Sequence, residues 1–213
     1  MIIATAALTS VLAVIAPVLT IFQSGAQAQR IRHTGANGVS LATWLLSVFV
    51  SQTWLCYGFV FHVPAEVWAN VPAMSVALVV AYLAAKSQKK LSSSVVAYLG
   101  LLAVTIAATW AGSSHPHHWI LSDVSVLSSV VIYVPQLVLV MRSKDLTGVS
   151  AISWFLACLT AASWLVYGLL IHQPAMAIPS FVMLPAAMYI LVGVVRHRVR
   201  NDPASGIQAP IIE

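Results

Sequence analysis

Apolar residues in this chain come in long blocks separated by short polar punctuation. A helix that crosses a bilayer needs about 20 mostly apolar residues. Seven blocks approach or exceed that length: roughly 3–27, 40–61, 66–85, 92–111, 119–141, 150–171 and 175–195. Barrel strands would alternate over about 10 residues. These blocks do not alternate, so each reads as a helix, which satisfies its own backbone in lipid. The connectors are RIRHTGANG, HVPAE, KSQKK, GSSHPHH, RSKDLTG and HQPAM. They leave no room for a soluble domain. The tail RHRVRNDPASGIQAPIIE carries no apolar block and is expected to be disordered. The predicted class is all-α and integral membrane, with seven spans.

Composition agrees. Of 213 residues, 60% are hydrophobic and 7% charged, against about 25% charged in a soluble domain. The net charge of +5 raises nucleic acid as a partner, but its distribution points to a membrane surface. Arg30 and Arg32 follow the first block, and Lys86, Lys89 and Lys90 the third. Arg142 and Lys144 follow the fifth, and Arg196, Arg198 and Arg200 the seventh. The other connectors carry none. Cytoplasmic loops are enriched in Lys and Arg, so the pattern predicts the N-terminus outside, the C-terminus cytoplasmic and an odd number of spans. Ala26–Ala28 loosely resembles a cleavage site, yet no basic region precedes a long apolar stretch, as a signal peptide requires. Cys56 and Cys158 lack metal-ligand spacing and read as small packing residues.

The chain also matches itself. At an offset of 110 residues, RHTGANGVSLATW falls on RSKDLTGVSAISW, and TWLCYGFVFHVPA on SWLVYGLLIHQPA. The pairs include Gly38/Gly148, Val39/Val149, Ser40/Ser150, Trp44/Trp154, Trp54/Trp164, Tyr57/Tyr167, His62/His172 and Pro64/Pro174. Shared apolar composition does not place Trp, Tyr, His and Pro pairs at one offset. Each copy holds three spans. Two odd copies in one orientation need a linking span, so residues 1–85 form one triple-helix repeat, 86–112 the linker helix, 113–195 a second repeat and 196–213 a cytoplasmic tail. Parallel repeats of this kind occur in secondary transporters, with the substrate between them.

Residues 131–150, VIYVPQLVLVMRSKDLTGVS, raise a further point. Proline and an amide interrupt an apolar span, and a basic loop and Gly-Val-Ser follow. This resembles the PQ-loop motif. Two such triple-helix units about one linker resemble the SWEET sugar transporters, whose half-length relatives are the SemiSWEETs. The likeness covers about residues 10–195. The second repeat carries Pro135-Gln136. The first has Gly25-Ala26 at the aligned place, so the dipeptide reads as lost there. Three of the four hinge prolines usual in plant and animal members are also missing, and the second and sixth spans carry no proline. Broken helices are tolerated where neighbours re-satisfy the backbone. Pro135 is therefore expected to act as a hinge, with Gln136 answering the carbonyl that proline leaves unpaired. Gly25 is expected to lend similar freedom to the first span. A static kink is the plainer alternative.

Trp54 and Tyr57, like Trp164 and Tyr167, sit three residues apart and so share a helix face. Sixteen residues beyond each Trp lie Asn70 and Ser180. The resemblance implies a substrate pocket built from Trp54 with Asn70 and Trp164 with Ser180, where Ser180 departs from the family's asparagine. Trp offers a flat apolar platform for a sugar face, and Asn two donors and an acceptor for its hydroxyl rim. Trp68, Trp110 and Trp119, at span ends, read as interfacial belt residues. Trp44 and Trp154 read as packing.

The expected function is facilitative movement of a small neutral sugar, a mono- or disaccharide, by alternating access in the cell membrane. No cofactor, metal or nucleic acid is implied. Lipid and the solute are the expected partners, and self-association is left open. The five acids include none plainly at the midplane. Glu66 and Asp123 read as lying at outer span ends, Asp145 in a loop, and Asp202 and Glu213 in the tail. His115–His118 reads as an ordinary loop, and His62 and His172 as turn residues or an outer gate. A rival reading is a PQ-loop carrier of an amino acid or other solute with proton coupling, for which a carboxylate facing the central cavity would speak. A non-transporting cargo receptor is another. No nucleophile–base pair, HExxH or phosphate loop suggests an enzyme.

Overall fold

The computed structural model describes residues 2–62, 64–113, 119–172 and 174–201. The stretch 115–118 and residues 202–213 of the predicted tail, with Asp202 and Glu213, lie outside the described residues; residues 196–200, expected to be disordered, are instead the last residues of a helix that ends at Arg200. Among the described residues eight helices follow in order: α1 (Ile2–Thr34), α2 (Leu41–Val60), α3 (Pro64–Ser87), α4 (Leu91–Gly112), α5 (Trp119–Val131), α6 (Val134–Arg142), α7 (Ala151–Leu170) and α8 (Pro174–Arg200). No strand occurs among the described residues. Helices α5 and α6 together make one interrupted span, so among the described residues seven spans are long and apolar enough to cross a membrane. Val96, Ile106, Leu127 and Ile152 are largely exposed. With this apolar outer surface, the chain is a multi-pass integral membrane protein.

The first basic stretch is helical where a loop was expected. Helix α1 continues through Arg30 and Arg32 to Thr34, where basic side chains favour a helix C-terminus. Gly35 then takes φ 77° and donates its N–H to the Ile31 carbonyl at 2.9 Å, ending the helix with a left-handed residue.

Within each half the helices pack out of chain order. Helix α3 lies between α1 and α2, and α8 lies between α5–α6 and α7. Across the halves α1 meets α7, and α2 meets α5 and α6. Helix α4 lies against α2 and α5. The buried core gathers at the end bearing the basic loops. It joins Val48 of α2, Val80 and Ala84 of α3, Leu146, Val149, Trp154 of α7, and Ile190 and Val194 of α8. Toward the opposite end the halves part around a cavity.

At the basic end the two Gly-Val-Ser segments press together. A Cβ on Gly148 would lie 2.6 Å from the Gly35 carbonyl oxygen and 2.7 Å from that of Asn37. One on Gly38, whose φ is 73°, would lie 2.5 Å from the Asp145 carbonyl oxygen. Only glycine allows this approach. Val39 and Val149 are buried beside it. Ser40 and Ser150 cap α2 and α7, each accepting a backbone N–H three residues on, at 3.2 and 3.1 Å, as N-cap residues do. Each residue of the repeated tripeptide thus has its own structural task.

Candidate functional site

The central cavity is about 150 Å³. Trp54, Asn70, Trp164 and Ser180 all line it, so the two repeats contribute equivalent positions to one space. Trp44, on the side of the basic end, lines it as well. Trp54 is fixed: its Nε1–H donates to Ser129 Oγ of α5 at 2.9 Å. Ser129 in turn donates to the Ser125 carbonyl at 2.8 Å. The Trp54 ring is therefore held by the opposite half and presents its apolar surface.

Tyr57 and Tyr167 are not among the lining residues. They back the tryptophans edge-on, with ring centroids 5.3 Å apart for Trp54–Tyr57 and 5.7 Å for Trp164–Tyr167. Trp154 is buried and meets Tyr133 edge-on at 5.0 Å. Trp68, Trp110 and Trp119 are exposed.

Asn70 does not offer the cavity its two donors. Its Nδ2 donates to the Glu66 carbonyl at 2.8 Å and to Glu66 Oε2 at 2.9 Å. Glu66 is 3% exposed and lines the cavity. It lies in the first turn of α3, at the outer span end where it was expected, but on the helix face that Asn70 shares and that looks into the cavity. Asp123 is exposed on α5.

The basic end of the cavity is shut by two crossed bridges. Gln136 Nε2 donates to the Gly38 carbonyl at 2.8 Å, and Gln136 Oε1 accepts the Ser40 N–H at 2.7 Å. Gln27 does the same in the opposite direction, to the Gly148 carbonyl at 2.8 Å and from the Ser150 N–H at 2.9 Å. Both glutamines are 1% exposed. This corrects two expectations. Gln136 does not answer a carbonyl of its own helix, but ties its repeat to the other. The first repeat has lost the proline but kept the glutamine, as Ala26-Gln27. A fixed offset hides this, since Gln27 precedes Gly38 by eleven residues and Gln136 precedes Gly148 by twelve. Around the bridges, Arg30 donates to the Thr147 carbonyl at 2.8 Å and Asn37 to Asp145 Oδ2 at 3.0 Å.

Pro135 occupies the first turn of α6, after a break at Ile132–Tyr133. There its missing N–H costs no helical bond. Helix α1 has no such break, and a Cβ on Gly25 would meet nothing within 4 Å. In this conformation α1 is therefore continuous through Gly25, with open space beside it. His62 and His172 both take φ 55° in exposed turns; histidine is among the residues enriched in that conformation. Among the described residues no cluster of metal-binding side chains occurs.

Ser129, Gln27 and Thr160 escaped the sequence reading. The Thr160 hydroxyl lines the cavity and is buried without a partner among the described residues. A polar residue on an apolar helix was the available signal, but only packing shows which one faces inward. A search of curated proteins finds no match to the chain. Residues 118–175, which hold α5, the Pro135-Gln136 break, the Gly-Val-Ser loop and α7, match the family model described as PQ loop repeat, and to that extent this chain is similar to PQ-loop proteins.

Proposed function

We propose that the protein is a membrane transporter that moves a small neutral sugar down its gradient by alternating access, with the solute held between Trp54 and Trp164. The single observation behind this reading is a cavity lined by equivalent residues of two repeats and shut at one end by crossed glutamine bridges. Aromatic platforms suit a pyranose face. The Asn70 Oδ1 and the hydroxyls of Thr160 and Ser180 suit its hydroxyls. With the basic loops cytoplasmic, the form described is closed to the cytoplasm, in a cell membrane, with the N-terminus outside.

The test is counterflow of labelled mono- and disaccharides in proteoliposomes. The expected result is exchange of at least one of these sugars by the native protein and severe loss in Trp54→Ala and Asn70→Ala. Failure of every sugar to exchange would remove the sugar assignment. Normal exchange by both variants would remove the site.

A further inference from the structure

Glu66 is the acid that the neutral-sugar reading leaves without a task. We propose that Glu66 is a proton-binding site within the solute cavity, whose protonation changes which ligand groups the cavity accepts. The proposal rests on reading the cavity as a solute site.

The geometry is one-sided. Glu66 Oε2 holds the Asn70 amide, while Oε1 has no hydrogen-bond partner among the described residues. All ten Lys and Arg residues lie at the basic end, and no ion pair reaches Glu66 among the described residues. The titratable groups within its electrostatic reach are the phenols of Tyr57 on α2 and Tyr167 on α7. Helices α1 and α4 carry no titratable side chain along the halves far from the basic end. Asp123, His62 and His172 are exposed. A buried carboxylate without a cation is costly, and an acid inside a membrane span by default marks an ion or proton pathway. A proton from water in the cavity neutralises the charge with no new protein contact.

Its chemical effect follows from the atoms present. With Glu66 ionised, Oε1 and Asn70 Oδ1 offer only acceptors, because both Asn70 donors are committed to Glu66. With Glu66 protonated, the same corner also donates. The equivalent positions of the second repeat are Met176 and Ser180, which also line the cavity. Met176 takes no proton, so the switch exists once per molecule.

The test separates the proton from the sugar. Infrared difference spectra of the protein in nanodiscs, recorded between neutral pH and a mildly acid pH still above the usual carboxylate range, should show a protonated-carboxyl band that is lost in Glu66→Gln and returns, shifted, in Glu66→Asp. Glutamine keeps an acceptor for Asn70, and thermal unfolding checks that the variant folds. Counterflow at equal pH on both sides should change several-fold across the same range for the native protein, with a flat profile for Glu66→Gln. A band that persists in Glu66→Gln, or none in the native protein, overturns the proposal whatever the solute. So does a native profile as flat as the variant's. A Glu66 band in a protein that exchanges no sugar supports the proton site and removes the sugar. A band displaced by a primary amine at constant pH would show that a ligand cation, not a proton, is what Glu66 receives, and would also overturn it.

Discussion

Replacing either bridging glutamine should open the basic end of the cavity. Gln136→Leu removes two bonds to buried main-chain groups, the Gly38 carbonyl and the Ser40 N–H. A buried donor or acceptor left unmatched costs about 1–3 kcal/mol, so the closed form loses about 2–6 kcal/mol. An open form, with those groups in water, loses little. Even about 2 kcal/mol shifts the closed-to-open ratio roughly 30-fold. The assay is a distance distribution between spin labels at His33→Cys and Lys144→Cys, both exposed and on opposite repeats. The free Cys56 and Cys158 are first replaced by alanine. Longer distances should appear in Gln136→Leu and, to a similar extent, in Gln27→Leu, which loses the mirror-image pair of bonds. Distributions that superimpose on the parent would refute the latch. A response to Gln136 alone would refute the equivalence of Gln27.

Four further outcomes are expected. Gly148→Ala should cost about 1–3 kcal/mol, as overpacking does, because its Cβ meets backbone at 2.6 Å. Gly25→Ala should be neutral or stabilise by up to about 1 kcal/mol; thermal unfolding in detergent compares the two. His62→Gly and His172→Gly relieve a left-handed residue and should leave the thermal midpoint equal or higher; a fall would show that the imidazoles hold something. The Asp145 carboxyl is held below the usual carboxylate range by the Thr147 backbone N–H, then by the Thr147 hydroxyl and Asn37. Its contribution to loop closure is therefore present above that usual range and lost as pH falls through the lowered value. The spin-label pair should report loosening at acid pH in the parent and no such change in Asp145→Asn.

Much of this was legible in the sequence because lipid simplifies the code. Uninterrupted apolar blocks gave the spans, and the repeated Trp, Tyr and Gly positions gave the pairing of the halves. Helix ends were harder, as basic residues and a left-handed glycine extend α1 to Thr34. Two site features were hidden for different reasons. Gln27 was concealed by a one-residue difference in loop length, which a fixed offset cannot absorb. Glu66 was concealed because distance along a helix does not say which face looks inward. The carboxylate on the wall of the cavity is the feature that would have spoken for a proton-linked carrier.

The crossed bridges also bear on why two copies share one chain. Each amide closes on the loop of the other half, so a single repeat expressed alone exposes both an unmatched glutamine and an unmatched loop. Two identical copies would satisfy them by pairing. A pair built from the first repeat would then set two Glu66 carboxylates against each other across one small space, and a pair built from the second would have none. Joining unlike halves permits a solitary acid, which an assembly of identical parts cannot possess.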